Sequence, residues 1–130
     1  MSRKKSREYA FRMVFEKFFH DSDEYFELSN DDIVLDDADK SFVNILIGGI
    51  NVHYDDVITL ISQNIVGYEI DRLYKVDLAI LVLAVYELKF AEEKVDAGII
   101  INEAVELSKK YSTDKSYSFI NGVLAKVVNG

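Results

Sequence analysis

The sequence predicts an all-α protein of six or seven helices, and three observations carry that reading. Proline is absent and glycine is limited to six of 130 residues, which suits helices joined by short connections. Apolar residues recur at helical spacing from Phe11 to Val127, with no strand-like alternation. The stretch 76–88, VDLAILVLAVYEL, is apolar at eleven of thirteen positions, and Leu78, Ile80, Leu81, Leu83, Val85 and Leu88 point all round a helix. A helix that is apolar on every side is covered on every side. This one falls short of the about 20 residues that a bilayer span requires, so other helices must surround it. At about 1.5–3 kcal/mol per fully buried aliphatic side chain, it supplies much of the core of a single domain.

The first helix is expected over residues 6–19, where Phe11, Val14, Phe15 and Phe18 fall at i, i+3, i+4 and i+7. Arg7 lies four residues before Phe11 and Arg3 four before that. If the helix reaches back so far, these cations prolong its buried stripe and sit at the edge of whatever it packs against. Arg12, flanked one turn away by Glu8 and Glu16, reads as a solvated pair partner. Residues 20–39 read as an acidic connector, with Ser29-Asn30-Asp31-Asp32 as a loop signal. Asp21, Ser22 and Asp23 suggest a calcium loop. The pattern fails because Tyr25 and Phe26 occupy its third-ligand and glycine positions, so no metal is expected.

A second helix is expected over 41–52. Gly48-Gly49 inside it sacrifices about 1 kcal/mol per glycine relative to alanine, and close approach of another helix would compensate. Asp55 or Asp56 then starts a third helix that Gly67 ends. Residues 68–75 read as a connector of at most one helical turn into the central helix. Asp96 caps the next helix, 97–111, and Ser112-Thr113-Asp114 separates it from the last, 116–128.

The net charge is −8 but it is polarised. Residues 1–19 carry six cations against Glu8 and Glu16, a local +4, while residues 20–40 carry nine acids against Lys40, a local −8. The absence of cysteine excludes disulfides, thiolate metal sites and cysteine nucleophiles, and fits a reducing cytoplasm. No signal-peptide pattern precedes the first helix.

Nucleophilic catalysis needs a nucleophile beside an oriented base. Only His20 and His53 are present, and both read as surface residues. Glu103 and Glu106 share a helix face, but Lys109 and Lys110 offer them ordinary pairing. No cofactor motif appears, so an enzyme is disfavoured. What stands above background is Arg3-Lys4-Lys5-x-Arg7 at a helix start, suited to neutralising phosphates with release of counterions. Tyr9 or Tyr74 could stack exposed bases.

Three segments, in order and at matching spacing, carry a resemblance. These are Val76-Asp77-Leu78-Ala79-Ile80-Leu81 with Ala84-Val85-Tyr86-Glu87-Leu88, Ile101-Asn102-Glu103-Ala104-Val105-Glu106-Leu107-Ser108-Lys109, and Phe119-Ile120-Asn121-Gly122-Val123-Leu124. Together with Arg7-Glu8-x-Ala10 they resemble the NusB family of bacterial transcription antitermination factors. The resemblance implies two small helical bundles packed together, about 1–67 and 68–130. It implies binding of boxA-type single-stranded RNA jointly with the small-subunit ribosomal protein that acts as NusE. The pair would join RNA polymerase antitermination complexes, especially on ribosomal RNA operons.

By position, Arg3, Lys4, Lys5 and Arg7 fall on the family's RNA-contacting segment. Phe15, Asp77, Lys115 and Phe119 fall at or near the surface for the protein partner or RNA. The chain departs from the family pattern at Lys4 and Lys5, where arginines are common and bidentate phosphate contacts become point-charge contacts. Val82 stands where a basic residue is frequent, and the loop 96–98 lacks the family's proline. Two alternatives stand beside this reading. One is a protein-interaction scaffold or homodimer with little RNA affinity. The other is an accessory RNA-binding domain like the one that precedes an RNA cytosine methyltransferase.

Overall fold

A computed structural model describes residues 3–18, 33–67 and 69–130. The described residues are helical throughout, with no strand. The described residues form five α-helices, α1 (Arg3–Lys17), α2 (Asp37–Gln63), α3 (Lys75–Lys89), α4 (Ala97–Tyr111) and α5 (Ser116–Asn129), and the connections after α2 are short, with a 3-10 turn at Ile70–Arg72 leading into α3. No described helix is long and apolar enough to cross a membrane.

Among the described residues the expected six or seven helices become five, because 41–52 and the following segment are one helix. Phe42, Leu46, Ile50, Val57 and Ile61 are buried and half-buried Tyr54 completes the row, at steps of three and four residues, so the stripe runs unbroken from end to end. Asp55 and Asp56 are exposed on the outer face of the helix and cap nothing. The true start is Asp36, whose carboxylate accepts the Asp39 N–H at 2.8 Å. The Asp39 carboxylate in turn accepts the Asp36 N–H at 3.3 Å, a capping box built from two aspartates. The helix ends at Gln63 with Asn64 as its cap. Gly67 lies beyond, in the turn, at φ +94°, a left-handed conformation that favours glycine.

Helix α3 is the centre of the fold. Asp77 through Glu87 are all buried, and α1, α2, α4 and α5 each pack against it. Val82, where a cation had been the family expectation, is completely enclosed. Asp96 caps α4 as expected, accepting the Gly98 N–H at 2.7 Å.

The two glycines of α2 behave oppositely. A Cβ on Gly49 would overlap the Tyr86 hydroxyl, whereas one on Gly48 would meet nothing within 4 Å. Only Gly49 therefore has the close helix approach expected of both. Gly49→Ala should destabilise the protein by about 1–3 kcal/mol through overpacking, and Gly48→Ala should stabilise it by up to about 1 kcal/mol. Melting temperatures shifted in opposite directions would establish the contrast; equal shifts would refute it.

Candidate nucleic-acid interface

Helix α1 begins with Arg3-Lys4-Lys5 and has no acid in its first turn. Lys4 and Lys5 are exposed, and Arg3 is half-buried. The Arg3 guanidinium lies 4.0 Å from the centroid of the Phe42 ring, a cation–π contact that takes the place of a hydrogen bond at its buried Nη1.

The next three residues turn inward. Ser6 donates to Asp39 at 3.2 Å. Arg7 is 5% exposed, and its Nε and Nη2 donate to the two carboxylate oxygens of Glu87 at 2.8 and 2.9 Å. This fork-to-fork pair sits among apolar side chains of α3, where a charge without a partner is expensive. Of the four N-terminal cations, then, three lie toward the surface and Arg7 is committed inside the fold.

Glu8 is the hub of a second network. Its Oε2 accepts from Lys110 Nζ at 2.6 Å and from the Tyr111 hydroxyl. Arg12 stands 3.7 Å from the same oxygen, and its Nη2 and Nε donate to the Tyr111 oxygen at 2.6 and 3.0 Å. Arg12 is buried at 8% exposure, not the solvated residue its spacing suggested, because Tyr111 of α4 covers it. Lys110 likewise pairs across helices with Glu8, and Glu106 keeps only Lys109, at 3.7 Å.

Burial pushes the Glu8 carboxyl up, but hydrogen bonds from Lys110 and Tyr111, with the charges of Lys110 and Arg12, outweigh it and hold the group below its ordinary value. A depressed carboxylate contributes stability that is complete above its unfolded pKa, about 4.5. That contribution is lost as pH falls through the lower folded value. The stability difference between the native chain and Glu8→Gln should thus be constant near neutrality and shrink below about pH 4.5. Thermal melts of both proteins from neutral to acid pH check this, and a gap that widens in acid would reverse the assignment.

The remaining candidates gather at the other end of α1. Arg7 pairs with the C-terminal end of α3, while Lys75 at its N-terminal end lies 5.9 Å from the Phe18 ring, so α1 and α3 run antiparallel. Phe15, half-buried, packs its ring 6.3 Å from Phe11. At roughly 1.5 Å per residue, Phe15 is about 18 Å along the helix from Arg3. Asp77 is 4% exposed and accepts from Ser112 at 2.6 Å and Ser116 at 3.0 Å. Ser116 also shares hydrogen bonds with Ser112 and Thr113. Lys115 is exposed on this turn and Phe119 is half-buried one helical turn later. Asp77 thus supports the turn from beneath, while Lys115 lies on its surface.

Sequence reasoning missed the partners of Arg7, Glu8 and Asp77. One signal was available: Asp77 and Glu87 are charges in a helix that must be covered on all sides, and a covered charge must be paired. His53, expected at the surface, lies within α2, half-buried and stacked on Phe90 with centroids 5.0 Å apart. Among the described residues no group of His, Cys, Asp or Glu could hold a metal. His20 and the rejected loop at Asp21, Ser22 and Asp23 lie outside the described residues.

Comparison with known proteins places this geometry. A family model described as the NusB family matches residues 4–129. Transcription antitermination protein NusB of Agathobacter rectalis is 43% identical over 130 residues, covering 97% of this chain and 98% of that protein. Its counterpart from Clostridium novyi is 35% identical over 133 residues, with 98% of each covered. Among solved structures, T. maritima NusB is similar at a TM-score of 0.85 and 30% identity, covering 99% of this chain and 92% of that one. A chain from the crystal structure of antitermination factors NusB and NusE in complex with dsRNA matches at a TM-score of 0.81 and 26% identity, covering 98% and 96%.

Proposed function

Because the chain belongs to the NusB family, we propose that it is an RNA-binding transcription antitermination factor, acting by binding and not by catalysis. Its RNA would be a boxA-type element, bound jointly with the ribosomal protein that acts as NusE. The assembly would join RNA polymerase on ribosomal RNA operons in the cytoplasm.

One observation carries the RNA-binding role. The first turn of α1 holds Arg3, Lys4 and Lys5 with no acid among them, at the helix end whose own dipole is already positive. Each cation there works against helix stability by about 0.3–1 kcal/mol, and a phosphate backbone would turn that repulsion into attraction. Arg3, Lys4 and Lys5 are the phosphate contacts in this reading, and Arg7 is the positioning residue that fixes their helix. Phe15, Lys115 and Phe119 form the partner surface, with Asp77 holding the turn beneath it. The two-bundle organisation belongs to the same reading, with residues 1–67 and 68–130 meeting at α3.

The test is binding of boxA-type RNA across a salt series, with and without the ribosomal protein, to the native chain and to Lys4→Ala/Lys5→Ala. Point substitutions are preferable to removing residues 1–7, which would also break the Arg7–Glu87 pair. Two lost phosphate contacts should reduce the slope of log K against log salt by roughly 1.4 on single-stranded RNA. Because the crystallised NusB–NusE complex contains dsRNA, both strand forms belong in the titration. An unchanged slope would remove these lysines from the interface. Binding of the ribosomal protein without any RNA affinity would favour the scaffold reading.

A further inference from the structure

Gly48 has no explanation inside the fold. It lies exposed in the interior of α2, where glycine weakens a helix, yet the space its missing side chain leaves is filled by nothing within 4 Å. On the same face, at i−3 and i+4, Ile45 is 66% and Val52 80% exposed. These three residues form one wall of an open groove of about 460 Å³. Tyr86 of α3 and Phe90, the residue that caps it, lie across from them, and Ala91 and Val95 extend the apolar lining into the following loop.

The charge along this groove has one sign. Glu87, Glu92 and Glu93 line it and no lysine or arginine does. Glu87 is neutralised by Arg7, which leaves Glu92 and Glu93 as the exposed acids. Burial, and after it the nearby charge of Glu92, raises the Tyr86 phenol. At the opposite end, Arg3 rests on Phe42, another lining residue.

We propose that this face of α2 docks an amphipathic helix from another protein, one with a small or aliphatic contact stripe and a cationic flank that lies over Glu92 and Glu93. A glycine at the centre of an exposed apolar stripe lets a second helix approach more closely than any side chain would permit. Ile45 to Val52 spans two helical turns, about 10 Å, the contact length of a short helix laid in a groove. The acidic end and the Arg3 end orient the guest, placing its positive N-terminus or basic flank over the loop after α3. A second copy of this chain is a poor occupant, since each copy carries −8.

The test uses the full chain, isotope-labelled, titrated with two synthetic helical peptides. They share an alanine–leucine contact stripe and differ only in Lys or Glu flanks. The Lys peptide should shift the amides of Ile45, Gly48 and Val52 and bind about tenfold tighter than the Glu peptide at low salt. Glu92→Lys/Glu93→Lys should reverse that preference. Gly48→Leu should abolish binding while leaving the melting temperature at or above the native one and the RNA affinity unaltered, which separates this site from the proposed RNA interface. The proposal fails if both peptides bind alike or neither binds. It also fails if Gly48→Leu changes nothing, or if sedimentation and the same amides reveal a homodimer on this face.

Discussion

Arg7→Ala should cost about 3–5 kcal/mol of folding stability, because it strands the Glu87 carboxylate without a partner inside the protein. The side chains of the pair are 6% and 4% exposed, so water cannot take over the vacated hydrogen bonds. Glu87→Ala should be comparably damaging, leaving the guanidinium buried instead. Arg7→Lys should recover only part of the loss, since an ammonium cannot meet both carboxylate oxygens as the fork does. The informative variant is Arg7→Met/Glu87→Leu, which removes both charges and keeps the volume. Apolar replacement of a buried pair is often neutral or stabilising, so the double variant should be far more stable than either single alanine variant. Urea denaturation of the set measures this. A double variant as unstable as the sum of its singles would mean that the pair is held by packing and not by charge.

Asp77→Ala should be the second largest effect, at about 2–4 kcal/mol. The carboxylate is the common acceptor for Ser112 and Ser116, and its removal leaves a cavity and two hydroxyls with only each other and Thr113 as partners. Lys115 offers α5 no side-chain cap, and Asp77 ties the start of that helix to α3 through the Ser112 and Ser116 hydroxyls. Asp77→Asn, which retains one good acceptor, should lose roughly half as much. Hydrogen exchange should report the cause, with amides of the α4–α5 turn accelerating before those of α3. If instead exchange accelerates evenly across the domain, the turn is not the element that Asp77 supports.

Much of the architecture was legible because it depends on local periodicity. The all-round apolarity of 76–88 required a surrounded helix, and α3 is one, while α4 and α5 begin at the residues that the sequence marked. The division of α2 failed for a physical reason. Asp55-Asp56 has the composition of a helix start, but an exposed aspartate pair on an otherwise continuous stripe is just a solvated face. Its actual cap, Asp36 with Asp39, was hidden inside a run of acids. At the candidate interface, the arginines were correctly read as extending the buried stripe of α1. How far Arg7 goes inward was not legible, since its partner is 80 residues away and no spacing rule reaches that far. Glu8 and Lys110, 102 residues apart, escaped for the same reason.

Those separations bear on how the protein is made. The first turns of α1 are fastened by Ser6 to residue 39, by Arg7 to residue 87 and by Glu8 to residue 110. The helix emerges from the ribosome well before the chain from which its seat is assembled, and contacts so distant in sequence form late. Nascent chains stalled before residue 87 should leave α1 unprotected from proteolysis, while full-length chains should protect it. The basic turn then gains its fixed orientation only once residue 110 has been made, and a shorter nascent chain cannot present a properly set hand to nucleic acid.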